Sequence, residues 1–446
     1  MKQPQKLNFL MLIALVIGNM IGSGIYALPA AIAPYGSMAI FAWIFTALGA
    51  MTLALMFANL SRTVVRTGGP YAYCRAGFGD FVGFLVAYNY WIAIWVGNAA
   101  VTVALVGYLG IFFPFLNEHN LSYDPFMSFA VKLVAVWGLT LVNSLGVRRA
   151  GEFQVLTVFL KVFPLLLIII FGLPMVDTHQ VFAFSPLGDK TSSFSSLTSA
   201  ATLTLWSFIG LEAATIPAEN AKDVRDIAKA TIWGTLLAAF IYILSTIVIM
   251  GLISPSRLRC TCAPFSDVAT LIFGPKFAVV IGISAVFSCL GSLNGWVLMQ
   301  GQIPMAAARD GLFPKIFQKQ NKYGAPLYGL CISSVLVTCI LLLTINKSLV
   351  AQFTFIILLA TLAFLIPYFM TAMADLMLLK KNPEHLDKKR LRRSIMIAIL
   401  AGGYSFWAII GSGAETVFYG ILLILSSVPV YVLMLWQNKR LQGEPG

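Results

Sequence analysis

The chain has 446 residues, 59% of them hydrophobic and only 11% charged, with a mean hydropathy of +0.86. A soluble domain of this length could not cover itself with so few charged side chains, so the composition specifies an integral membrane protein. The net charge of +13 would suggest nucleic acid on a soluble protein, but here the basic residues sit in particular loops, and nucleic acid is not an expected partner.

About 20 apolar residues are needed for each helical crossing of a bilayer. Twelve segments qualify, near 8–32, 37–60, 81–113, 126–147, 153–176, 197–219, 228–253, 277–302, 327–345, 349–377, 395–411 and 415–436. Of the 30 Lys and Arg, 23 fall on the side that holds both termini and 5 on the other, with Lys132 and Lys161 inside spans. The positive-inside rule then puts both termini in the cytoplasm, which an even number of spans requires. Lys2 and Lys6 before an apolar run, with Ala31-Ile32-Ala33 after it, resemble a signal peptide. The run is too long and is interrupted by Gly-Asn, so it reads as a span. The longest polar stretch, 378–394, is a loop. Six cysteines are scattered, and a bridge within Cys260-Thr261-Cys262 would be strained. The three histidines (His119, His179, His385) lie in loops without metal-ligand spacing, so neither a metal nor a cofactor is expected.

The first span carries Gly18-Asn19-Met20-Ile21-Gly22-Ser23-Gly24 in its middle. Each Gly costs about 1 kcal/mol of helix propensity relative to Ala. Freed backbone groups in hydrocarbon cost several kcal/mol each, so such a break is tolerated where it faces a water-filled cavity or a ligand. Half-helix ends at mid-membrane are how many secondary transporters hold zwitterions and ions. The helix restarts after the break, so the Ser23 and Gly24 N–H groups would suit a carboxylate, while the Met20 and Ile21 carbonyls would be free acceptors for an ammonium. The alternative is close packing, since Gly18 and Gly22 form a GxxxG pair.

Between the second and third spans, Gly68-Gly69-Pro70 in the loop 61–80 predicts a turn into a short helix along the membrane face. In span three, Tyr90, Ile94 and Asn98 are spaced i, i+4, i+8 and share one face; Trp95 is a further aromatic candidate. Lys161 lies about nine residues into span five, roughly 13 Å along the helix. An ammonium at that depth needs a partner or sheds its proton, unless it snorkels outward. It would stand where a sodium-coupled carrier holds Na⁺. The sixth span also looks broken, at Leu205-Trp206-Ser207-Phe208-Ile209-Gly210-Leu211-Glu212-Ala213. Its carbonyls around Trp206 to Ile209 would be acceptors, and Glu212 is read as the only carboxylate deep within a span. Interrupted spans one and six point to two five-span halves in inverted orientation with two spans appended. Trp296 in span eight can stack on a substrate side chain, a cationic one best. Loop 303–324 predicts a second short helix at 306–314. Lys388-Lys389-Arg390-Leu391-Arg392-Arg393 reads as a topology-setting charge run or an anionic-lipid site.

With those residues in place, the chain resembles the amino acid–polyamine–organocation transporter family over nearly its whole length. The matching segments are Gly18–Gly24, Gly68-Gly69-Pro70-Tyr71-Ala72-Tyr73, Tyr90-Trp91 through Gly97-Asn98, Leu205–Glu212, Gly291-Ser292 through Trp296, Asp310-Gly311-Leu312-Phe313-Pro314 and Pro367-Tyr368. Within the family it is similar to the arginine/agmatine antiporter group of basic amino acid/polyamine exchangers.

The resemblance implies an all-α fold of twelve transmembrane helices working by alternating access. It implies one transporter domain over 1–446, with inverted repeats near 8–177 and 197–377, discontinuous helices one and six, and accessory helices near 395–436. It assigns Ser23 and Gly24 to the substrate carboxylate and the Ile21, Trp206 and Ile209 carbonyls to its ammonium. Asn98 and Trp296 would meet the side chain, Trp206 would close over it, and Tyr90, Glu212 and Tyr368 would form a gate. A homodimer in a bacterial inner membrane is also implied. Two departures stand out. Ala360 occupies a place where the arginine exchanger has a Ser, and Lys161 resembles the span-five lysine of proton-coupled, sodium-independent permeases.

The leading expectation is exchange of a cationic amino acid for its decarboxylated amine. The alternative is proton symport of neutral amino acids, with Lys161 coupling the proton. A channel would need a polar pore lining and an enzyme a clustered catalytic constellation; the spans carry neither.

Overall fold

The computed structural model describes residues 6–117, 120–183, 193–261, 264–346, 349–381, 387–412 and 414–442. His119, His385 and Cys262 lie outside them. Among the described residues the chain is helical throughout, apart from one isolated bridge between Leu7 and Ala221.

The helices run α1 (Phe9–Met20), α2 (Ser23–Ile32), α3 (Met38–Thr63), α4 (Pro70–Phe78), α5 (Asp80–Leu109), α6 (Pro125–Ser144), α7 (Val147–Gly172), α8 (Thr178–Ala183), α9 (Ser193–Leu205), α10 (Val224–Leu252), α11 (Pro255–Cys260), α12 (Pro264–Phe273), α13 (Pro275–Arg309), α14 (Leu327–Leu343), α15 (Leu349–Lys381), α16 (Lys388–Gly411) and α17 (Ala414–Gln442). Eight helices among the described residues are long and apolar enough to cross a bilayer: α3, α5, α6, α7 with its 3₁₀ extension to Met175, α10, α13, α15 from Leu359, and α16. Shorter apolar helices occur at α1, α12, α14 and Gly420–Trp436. The surface is a belt of large apolar side chains, among them Leu48, Val134, Leu141, Phe159, Trp233 and Phe240. In water such a surface would be an aggregation site; a bilayer covers it.

Sequence and geometry agree closely at helix starts. Asn8, Asp124, Asp223 and Asp387 each accept a backbone N–H from the first turn of the helix that follows, the capping that satisfies otherwise orphaned donors. Gly69, at φ +51°, turns the chain into α4, as its Gly-Gly-Pro signature predicts.

Two expectations need correction. Residues 306–309 do not start a separate short helix; they continue α13, which ends at Asp310 and Gly311 (φ +79°) and is followed by a 3₁₀ turn at Lys315–Gln318. Alanines with no capping residue before them have nothing to break the run from span eight. Beyond its break, the sixth span does not resume an α-helix but proceeds through 3₁₀ turns at Ala213–Thr215 and Ala218–Asn220. The outward loop after span seven contains α11 and α12, each opened by a proline at its first turn. Asp375, near the basic-side end of α15, is a second buried carboxylate, 3% exposed.

The interior is one large apolar cluster that joins α1, α3, α5, α7, α10, α13 and α15. Small residues let the broken helix lie deep within it. A Cβ on Gly18 would stand 1.7 Å from Gln154 Nε2 of α7, and one on Gly295 of α13 would stand 2.0 Å from Asn19 Oδ1. These contacts pin the ends of α1 and α2 between α7 and α13.

Candidate functional site

The first break is two residues long, Ile21 and Gly22, between α1 and α2. Its backbone groups can be followed one by one. Ile21 N–H reaches back to Ile17 O at 2.8 Å, and Gly22 N–H to Met20 O at 3.0 Å. The buried Lys161 Nζ, from α7, donates to Gly18 O at 2.7 Å and also to Ile21 O. Ser288 Oγ, from α13, lies 3.1 Å from both Ile21 O and Gly22 O. A basic nitrogen thus sits against the C-terminal end of α1, where the helix dipole is negative. The Met20 and Ile21 carbonyls, expected to be open, are engaged within the protein.

The start of α2 is different. Gly22, its N-cap, has φ −119° and ψ −138° and no side-chain cap. The N–H groups of the first turn therefore receive no side-chain cap, the arrangement in which a helix start is open to an anion. Gly24 faces the second break: a Cβ there would meet Ser207 Oγ at 2.8 Å and Trp206 Cδ1 at 3.3 Å. Ser207 Oγ is buried without a hydrogen-bond partner among the described residues.

The second break follows α9. Trp206–Phe208 tighten into a 3₁₀ turn, Ile209 is extended, and Gly210 takes φ +103° against Asn19 in the last turn of α1. Tyr242, on α10, donates to Ser207 O at 2.9 Å and holds this turn in place. Ile209 N–H bonds to Trp206 O at 3.2 Å.

An aromatic chain joins this turn to the neighbouring helices. Trp206 and Trp296 are edge-to-face at 5.7 Å, Trp296 and Phe364 are 5.1 Å apart, and Phe364 and Tyr90 5.5 Å. At its end, Tyr90 from α5 and Tyr368 from α15 both donate to the buried carboxylate of Glu212, and Gly210 N–H donates to Tyr368 OH at 3.3 Å. One carboxylate thereby ties two helices to the turn of a third. Asn98 Nδ2 donates to Gln300 Oε1 at 2.7 Å, while Asn98 Oδ1 and Trp296 Nε1 have no partner among the described residues.

The structure thus brings Ile21, Gly24, Trp206, Ile209, Trp296, Asn98, Tyr90, Glu212, Tyr368 and Lys161 around the two breaks, with Ser23 opening α2. Ala360 lies one helical turn before Phe364, which the sequence reading missed. Spacing could have revealed it: 360, 364 and 368 share a helix face. Ser284, Ser288 and Ser292 repeat every four residues in the same way, a polar stripe on an otherwise apolar helix. Trp95, by contrast, is only partly buried.

Both ends of this region are covered. On the Lys/Arg-rich side, Asp310 accepts from Arg75 Nη1 at 2.7 Å and from Tyr71 OH at 2.8 Å, and Arg75 Nε reaches Asp80 at 2.7 Å. Burial first, and then the Asp310 hydrogen bond, raise the Tyr71 phenol above its ordinary range, so it stays a donor. Gly68 N–H bonds to Ile216 O at 2.9 Å, and Leu7 pairs with Asn220 and Lys222. At the other end Phe265 of α12 lies 5.2 Å from Tyr26 of α2, whose hydroxyl is 2.7 Å from Ser284 Oγ.

The amino acid permease family model matches residues 7–443. The chain belongs to this family. It is 34% identical over 458 residues to a Bacillus subtilis (strain 168) protein provisionally named an arginine/ornithine antiporter, covering 97% of each chain. It is 32% identical over 440 residues to the putrescine transporter of Escherichia coli (strain K12), again covering 97% of each. A cadaverine/lysine antiporter of Escherichia coli (strain K12) is 34% identical over 344 residues, covering 77% of this permease and 76% of the relative. The permease is a multi-pass membrane transporter rather than an enzyme, and its relatives are named for small amino acids and amines.

Proposed function

We propose that the permease exchanges a cationic amino acid for its decarboxylated amine by alternating access across a bacterial inner membrane, with both termini cytoplasmic. The observation that carries this reading is the uncapped start of α2, with Gly24 facing the unpartnered Ser207 hydroxyl across two unwound segments. Ser23 and Gly24 N–H groups would receive the substrate carboxylate. The Trp206 and Ile209 carbonyls would take its ammonium, with the Ile21 carbonyl joining once Lys161 yields it. Trp296 and Asn98 would meet the side chain and Trp206 would close over it, with Tyr90, Glu212 and Tyr368 as the gate.

The architecture in this reading is a twelve-helix, 5+5 inverted repeat with two accessory helices, assembled as a homodimer. The relatives named as antiporters favour exchange over proton symport. Counterflow in proteoliposomes tests it: labelled arginine, ornithine or lysine should enter rapidly only when a cationic amino acid or amine is inside. Net uptake into empty vesicles driven by a pH gradient would overturn exchange.

A further inference from the structure

Buried hydroxyls and amides run in one line from α6 through α14 and α13 to Asn98 on α5. At its far end Thr140 Oγ1 donates to its own helix carbonyl, Val136 O, at 2.8 Å. A carbonyl can only accept, so the single Thr140 proton is committed there. The 2.6 Å contact between Thr140 and Ser334 must then use the Ser334 proton, with Thr140 accepting. Ser334 Oγ is left as an acceptor for Gln300 Nε2, at 3.0 Å, and Leu330 O stands 3.4 Å from the same nitrogen. Gln300 therefore turns Oε1 toward α5, where it accepts Asn98 Nδ2 at 2.7 Å. Each step fixes the next. Reversing Gln300 would set its oxygen against a carbonyl and a hydroxyl whose proton is spent. All four side chains are buried, where an unmade hydrogen bond costs about 1–3 kcal/mol.

The consequence falls on Asn98. Its Oδ1, buried and without a partner among the described residues, is the one open end of the line. Trp296 packs beside it, against Gly97. We infer that Gln300, Ser334 and Thr140 are specificity-positioning residues, which lock Asn98 so that it offers an acceptor to the substrate and selects a side chain ending in a hydrogen-bond donor, such as an ammonium or guanidinium. The inference rests on the proposed substrate-site reading, in which Asn98 meets the side chain. None of the three need touch the substrate.

Ornithine and norleucine have nearly the same shape and differ at that terminal group. Their half-saturation concentrations in proteoliposomes, measured both by counterflow and by net uptake, give the discrimination ratio. In Gln300→Met the Asn98 amide is free to turn, and the ratio should fall about tenfold, equivalent to about 1.4 kcal/mol. Thr140→Val, isosteric and remote on α6, should lower the ratio about threefold.

Ser333→Ala removes two neighbouring hydrogen bonds, from Trp91 Nε1 at 2.7 Å and to the Gln300 backbone carbonyl at 3.3 Å, neither of which involves the Gln300 side-chain amide, and should leave the ratio unchanged. Ratios within twofold of wild type in both Gln300→Met and Thr140→Val would overturn the inference, as would an equal fall in Ser333→Ala or a wild-type preference for norleucine. Failure of exchange alone reads separately, as uptake without internal substrate, and the ratio is then taken from net uptake.

Discussion

Gly24 and Lys161 deal with the same break in opposite ways, one by being absent and one by being present. At Gly24 a methyl group would meet Ser207 Oγ at 2.8 Å and the Trp206 ring at 3.3 Å. Gly24→Ala must therefore push the second break away from the first turn of α2, where the proposed site would hold the substrate carboxylate. Exchange should fall at least tenfold, mainly through a higher half-saturation concentration, while the purified protein stays monodisperse. Counterflow at graded substrate concentrations checks this; an unchanged half-saturation value would move the carboxylate elsewhere. Lys161 is read from the other direction. Its removal leaves Gly18 O without this donor and Ile21 O with only the Ser288 hydroxyl. Lys161→Ala should cost about 2 kcal/mol, read as a lower thermal midpoint in detergent. A midpoint equal to wild type would mean that water serves those carbonyls as well as Lys161 does.

At the scale of elements, the basic-side closure is carried by few groups. Asp310, just past the end of α13, holds Arg75 and Tyr71 of α4, and Cys74 of α4 in turn packs against Thr371 of α15. The Arg75–Asp310 ion pair is only partly buried, at about 25% side-chain exposure on both partners, so it contributes modestly. The joint effect of these contacts is positional. In a variant whose single cysteine is Cys74, Asp310→Ala should raise its maleimide labelling severalfold, because α4 loses its tether to α13. No change in labelling would show that Gly68, bonded to Ile216 O, holds α4 without help.

The same elements measure how far the sequence could be read. The breaks and the α4 turn were legible because glycine and proline act locally. The end of α13 was not, since nothing local separates 303–309 from the span before it. The 3₁₀ path after Glu212 was equally hidden. That segment, 213–220, is held by tertiary bonds to Gly68 and Leu7, and these partners lie more than a hundred residues away in the chain. Phe364 and Gln300 look like ordinary residues of an apolar helix until their neighbours are known, whereas Glu212 and Lys161 announce themselves by the cost of burying a charge.

At the scale of the molecule, the argument turns on orientation. Two breaks lie between α7, α10 and α13, where the proposed site would be, and nothing in that geometry says which end faces the cytoplasm. The charge distribution supplies the prediction: 23 Lys and Arg fall in the loops on the side of α4, against 5 on the other. Such a bias fixes topology during insertion, since basic loops are retained in the cytoplasm. Leu121 is fully exposed in the loop before α6 on the sparsely charged side, while Lys322 stands in the basic loop before α14. In intact cells producing a cysteine-free permease, a membrane-impermeant maleimide should label Leu121→Cys from outside and Lys322→Cys only after the membrane is permeabilised. The reverse pattern would invert the molecule and place the Asp310 closure on the outside, so that the substrate released on opening it would leave the cell rather than enter it.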